Sequence, residues 1–211
     1  MIFARNARDD AGDGDRIFRT SAEIGIMPWR KDGEALHTAA AELSYDDGAL
    51  YVRMRAFEKN IISERKQFGD PVCRDSCLEF FFAPVFGNNA YFNFEVNPDG
   101  VMYIGFSADG TRAGSRLLTD PDIACNSFFS MKCNRNDDFW EVSYRIPYDF
   151  IRRRSPDFRD PRPGDVLRCN FYTCCDDAPE LYYTVWHRIC SPSPDYHLPE
   201  YFGELVFGEK E

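Results

Sequence analysis

The stretch Tyr91-Phe92-Asn93-Phe94-Glu95-Val96-Asn97 alternates with the period of a strand. That period aims Phe92, Phe94 and Val96 into a core and sets Tyr91, Asn93, Glu95 and Asn97 on the opposite face. Asn offers a donor and an acceptor and Glu accepts several bonds, which is the mixed inventory that reads vicinal hydroxyls. Asp75-Ser76-Cys77-Leu78-Glu79 lies just upstream on the expected neighbouring strand, which puts Glu79 where it can face Glu95 or Asn93. Arg74, beside Asp75, would add a fork of donors to the same patch.

Paired carboxylates also suit acid/base work. A glycoside hydrolase or lyase using Asp75, Glu79 and Glu95 is the catalytic alternative, since glycosidases need two carboxyl groups at a set separation. Against it stand only three histidines (His37, His187 and His197) and the lack of a Gly-x-Ser-x-Gly nucleophile motif. A haem-binding sandwich would need axial ligands from those histidines with Met54 or Met102, scattered positions with no spacing that joins them.

The eight cysteines read as reduced thiols filling core positions. Cys73 and Cys77 match half of a zinc-finger spacing, but Cys174-Cys175 is not a second ligand pair of the usual kind. Neighbours on a strand point oppositely, so one of Cys174 and Cys175 is expected in the core and the other exposed.

The elements that must carry these residues are short strands. Leu50, Val52, Met54 and Ala56 share one face of a strand that follows the turn Asp46-Asp47-Gly48, giving a hairpin over Ala41 to Ala56 with positive φ supplied by the Asp/Gly turn. Ser76 to Phe82, Tyr91 to Val96 and Val101 to Phe106 form a meander whose last turn is Asn97-Pro98-Asp99-Gly100. Further strands are expected at Ser127 to Cys133, Phe139 to Ile146, Val166 to Cys174, Tyr182 to Trp186 and Glu204 to Phe207, with one short helix at Tyr148 to Arg153. About ten strands at this spacing predict an all-β, antiparallel β-sandwich of immunoglobulin or jelly-roll type, in one domain over residues 1–211, with residues 1–15 mobile.

Lys and Arg total 25 against 35 Asp and Glu, and the net charge of −10 disfavours nucleic acid and anionic lipid as partners. The run Arg152-Arg153-Arg154 beside Pro156 reads as a solvated loop. With no signal-like or membrane-length apolar run, the sequence as given is expected in the cytoplasm.

Several stretches resemble the family 9 carbohydrate-binding modules and their stand-alone relatives: Val72-Cys73-Arg74-Asp75-Ser76-Cys77-Leu78-Glu79-Phe80-Phe81, the 91–97 strand, Gly100, Ile146-Pro147, Pro163-Gly164-Asp165, Asn170-Phe171, Trp186-His187-Arg188-Ile189-Cys190-Ser191-Pro192 and His197 to Phe207. They follow the family order over nearly the whole chain. The resemblance implies non-catalytic binding of a mono- or oligosaccharide, in which a reducing-end sugar lies between two tryptophans and acidic, amide and arginine side chains bind its hydroxyls. It gives Glu79 an acidic ligand position and Trp186 one of the two aromatic ones.

The implied second tryptophan precedes the Asp-x-x-x-Glu stretch, where this chain has Cys73. Trp29, Tyr91, Tyr172 and Tyr183 are the alternatives for that wall, and Trp140 is left unassigned. Loss of the clamp would instead leave an interaction domain that binds no sugar. Because some members bind calcium, Asp46, Asp47, Asp99, Asp109, Asp120 and Asp122 are candidate ligands for that ion.

Overall fold

The computed structural model describes residues 1–6, 21–31, 37–124 and 127–209. They form thirteen strands and one short helix, a β-sandwich built from one curled sheet. The strands are β1 (Ile2–Asn6), β2 (Ser21–Ile24), β3 (Thr38–Tyr45), β4 (Ala49–Phe57), β5 (Cys77–Ala83), β6 (Tyr91–Val96) and β7 (Met102–Ser107). The remainder are β8 (Ser115–Leu117), β9 (Lys132–Arg135), β10 (Trp140–Pro147), β11 (Val166–Cys174), β12 (Tyr183–Val185) and β13 (Gly203–Phe207), and the helix α1 is Tyr148–Arg152.

Neighbours run in the order β8-β7-β6-β5-β11-β13-β1-β3-β4-β10-β9, with β12 on β11 and β2 on β3. The sheet folds over so that Phe80, Phe82, Phe92, Phe94 and Phe171 pack with Val52, Met54, Val142, Tyr144 and Ile146 in one core. Such burial of large aromatic side chains is the main force holding the two layers together. Trp140 belongs to this core, and its Nε1 donates to Glu58 Oε1 at 2.5 Å.

Five expectations are corrected. Ile2–Asn6, inside the segment expected to be mobile, is a strand in mid-sheet, while residues 7–15 lie outside the described residues. Its pairing is parallel to both neighbours, Ile2 opposite Leu205 and Ala4 opposite Leu43, so the sandwich is not wholly antiparallel. The β3–β4 turn does not use positive φ at Gly48: Asp46 Oδ1 instead accepts from the backbone N–H groups of Gly48 (2.8 Å) and Ala49 (2.9 Å). The strand expected from Ser127 begins only at Lys132. Cys174 and Cys175 are both buried, because β11 ends at Cys174 and the chain then turns Cys175 against Met27 and Tyr182. The turn at Gly100 is as expected, with φ of 78° and its N–H bonded to Asn97 O at 2.9 Å.

The expected polar patch is not a solvent face. Every residue of β5 and β6 is buried, because a second layer from residues 189–202 covers the side opposite the main core. Among the described residues no helix is long and apolar enough to cross a membrane.

Candidate functional site

The covered face of β5, β6, β7 and β11 alternates as its sequence dictates. Cys77, Glu79 and Phe81 of β5, Tyr91, Asn93 and Glu95 of β6, Tyr103 of β7 and Tyr172 and Cys174 of β11 point into the second layer. The layers do not close completely, and they leave a cavity of about 330 Å³. Glu79, Glu95, Cys73, Cys174, Tyr103, Tyr183, Tyr196 and His197 line it. Asp176, Arg112, Asp195, Pro71 and Pro194 complete the lining.

Glu79 and Glu95 are directly opposed across β5 and β6, 2% and 7% exposed. Glu95 Oε1 accepts from Asn93 Nδ2 at 2.8 Å, and Glu79 Oε1 lies 3.1 Å from Cys174 Sγ, which donates to it. Burial pushes the Glu95 carboxyl up to about 7, against the opposing pull of Asn93 and Arg112. Burial raises Glu79 as well, and the charge of Glu95 adds to that. Arg112 Nη1 lies 3.0 Å from Asp195 Oδ1, an exposed pair beside the two carboxyls.

The aromatic walls are braced from behind. Tyr196 stacks on Tyr172 with ring centroids 4.0 Å apart and planes 5° from parallel. Tyr183 donates to Asp176 Oδ1 at 2.9 Å and meets Trp29 edge-on. The Tyr91 hydroxyl and His197 Nδ1 are 2.7 Å apart, and burial holds the imidazole down to about 4, so it is neutral at pH 7. Gly105 faces Asn93 across β6–β7, and a Cβ there would stand 2.3 Å from Asn93 Oδ1. A glycine therefore makes the space in which Asn93 reaches Glu95.

Of the eight residues expected at the site, Glu79 and Glu95 line the cavity. Asn93 and Tyr91 are buried behind it, orienting Glu95 and His197 respectively. Asp75 and Asn97 instead lock the loop before β5. Asp75 accepts from the N–H groups of Glu64 and Arg65, from the Arg65 guanidinium and from Asn97 Nδ2, all at 2.9–3.0 Å. Burial raises its carboxyl, but these four bonds outweigh it and keep the group below the usual carboxylate range. Arg74 is exposed and pairs with Asp177 at 3.0 Å.

Trp186 does not line the cavity either. It packs edge-on against Phe171 and over Gly203, because its position after β12 turns it toward the main core. Tyr172 lies beneath Tyr196, and Trp29 lies behind Tyr183. Cys73, by contrast, stands on the cavity wall.

Tyr103, Arg112, Asp176, Tyr196 and Asp195 were not singled out from the sequence as site residues. Only Tyr103 carries a signal, since Met102, Ile104 and Phe106 alternate with it. The others reach the cavity from loops, where no period reports direction.

The candidate calcium carboxylates sit on turns and in ion pairs, Asp46 and Asp47 together on the β3–β4 turn. Asp46 and Asp109 hold turns, Asp99 pairs with Lys66, and Asp120 and Asp122 pair with Arg154 and Arg153. The three histidines are equally scattered: His37 packs against Tyr182 with the rings tilted 45°, His187 Nδ1 bonds Tyr201 O, and Met54 and Met102 lie in the main core.

The model of carbohydrate-binding family 9 matches residues 15–207. A Bacteroides uniformis ATCC 8492 structure, provisionally described as a carbohydrate-binding protein, is similar with a TM-score of 0.79 at 18% identity, covering 97% of each chain. A family 9 carbohydrate-binding module from Caldicellulosiruptor kristjanssonii, solved with cellotriose, gives a TM-score of 0.63 at 13% identity over 100% of this chain and 94% of that one. A family 9 module of the same organism, solved with glucose, gives 0.61 at 14% identity over 100% and 97%. No curated protein sequence matches the chain.

Proposed function

This chain belongs to carbohydrate-binding family 9, and on that premise we propose that it binds a mono- or oligosaccharide end in the cavity between Glu79, Glu95 and the tyrosines, without transforming it. The observation that carries the reading is the direct register of Glu79 and Glu95 on one wall of a cavity ringed by Tyr103, Tyr183 and Tyr196. Two acceptors on neighbouring strands are spaced for hydroxyls on adjacent sugar carbons, and tyrosine faces take the apolar C–H side of a pyranose. The cavity volume suits one or two sugar rings.

Both carboxyls stand side by side on adjacent strands. A binding grip needs no more than this, whereas glycoside cleavage needs in addition a scissile bond seated between the two carboxyls. Cys73 occupies the position of the expected second tryptophan, so the aromatic contact here falls to Tyr183 of β12 and Tyr196 of the second layer.

The test is calorimetric titration with glucose, xylose, galactose, cellobiose, xylobiose and an alditol control. Heat with a sugar, lost in Glu79→Ala and Glu95→Ala, supports the reading, and absence of heat with every sugar rejects it. Release of reducing sugar from a glycan panel, abolished by Glu79→Gln, would replace binding with catalysis.

A further inference from the structure

Cys77 and Cys174 are directly opposed in the β5–β11 pairing, on the face that carries Glu79. Their sulfurs and a Glu79 carboxylate oxygen lie within 4.8 Å of one another, and all three side chains are buried. Zinc bound by thiolate and carboxylate at about 2.3 and 2.0 Å places two sulfurs about 3.7 Å apart and a sulfur and an oxygen about 3.5 Å apart. The observed Cys174 Sγ to Glu79 Oε1 distance is 3.1 Å, and no pair of the three ligand atoms is more than 4.8 Å apart, so the trio lies close to that spacing.

The surroundings point to a cation. Two thiols and a carboxyl, all able to ligate a metal, converge in one buried place, and the charged neighbours that bear on Glu79 are mostly negative, namely Glu95 and Asp176. Arg112 is a cation that bears on Glu79, and it is tied to Asp195. Glu79 and Cys174 both line the cavity, which provides an entry route and an open coordination position, with Cys73 on the same wall.

We propose that Cys77, Cys174 and Glu79 form a three-ligand site for a divalent cation of zinc type, with its fourth position open to the cavity. As the ion enters it sheds water, both thiol protons and the proton of Glu79 where it is protonated leave to solvent, and two thiolate–metal bonds and one carboxylate–metal bond form in place of the Cys174–Glu79 hydrogen bond. Adjacency kept Cys174-Cys175 from resembling a zinc pair in the sequence. The partner of Cys174 is Cys77, far away in the chain and brought level by strand register.

This site does not rest on sugar binding, and it is titrated with no sugar present. Reduced, chelator-stripped protein is titrated with cobalt(II) as the spectroscopic probe. One equivalent should produce thiolate-to-cobalt charge transfer in the near ultraviolet and tetrahedral bands in the visible, both erased by added zinc. The signal should persist in the double variant Cys133→Ser, Cys190→Ser, whose thiols are exposed elsewhere. It should vanish in Cys174→Ser, and Glu79→Gln should weaken cobalt at least tenfold. Should Cys174→Ser fail to fold, Glu79→Gln and the wild type decide. No thiolate band in the wild type, a band that survives Cys174→Ser, or a band lost with Cys133 and Cys190 overturns the proposal.

Discussion

Glu79 and Glu95 face each other directly across β5 and β6, two buried carboxyls lining one cavity. Their proton balance links the site to the stability of the fold. Glu95 is raised from 4.5 to about 7 in the folded chain, chiefly by burial, so its protonated form is the one the fold favours. The stability this gives is fully present below pH 4.5 and is lost as pH rises to about 7. Glu95→Gln removes that loss. Relative to wild type the variant should gain on the order of 3 kcal/mol between pH 4.5 and pH 8, read by chemical denaturation at each pH.

Gly105→Ala drives a methyl into Asn93, since the added Cβ would stand 2.3 Å from Oδ1. Overpacking of this kind costs about 1–3 kcal/mol. Shortening the partner in Gly105→Ala, Asn93→Ala should recover part of that stability but not the hydrogen bond to Glu95. Thermal melts of the single and double variants check both halves of the expectation.

Asp75→Ala should cost about 3–5 kcal/mol, because it leaves the half-buried Arg65 guanidinium and two backbone N–H groups without their acceptor. Arg74→Ala, one residue away and exposed, should change stability by less than about 0.5 kcal/mol. Equal effects from the two would contradict the role of Asp75 as a loop brace.

Much of the fold was legible in the sequence because a strand's period is rigid. The alternation of 91–97 gave the correct two faces, and the β3–β4 hairpin and Gly100 turn followed from local residues. The period could not say what covers a face. The polar side of β6 reads like a solvent-exposed strand, and only the return of residues 189–202 over it makes Asn93 and Glu95 buried. Trp186 shows the same limit: its type suggested a sugar platform, but contact with Phe171 and Gly203 is a matter of tertiary placement. Asp75 and Asn97 have the chemistry of ligands and use it on Arg65 and the loop instead.

Trp186 and the carboxyl pair therefore make opposite predictions about loss. Trp186→Ala removes packing from the core edge and should lower stability by about 3 kcal/mol, while the cavity it does not line keeps its ligand. Glu79→Ala removes an acceptor from the cavity itself and should weaken a sugar by about 10- to 100-fold.

The central measurement is calorimetric titration of wild type, Trp186→Ala, Glu79→Ala and Glu95→Ala with glucose and cellobiose at one pH. The predicted result is heat for wild type and folded Trp186→Ala, with little or none for either glutamate variant. Heat that disappears in Trp186→Ala and survives both glutamate substitutions would place the sugar elsewhere, and no heat in any protein would contradict sugar binding by this cavity.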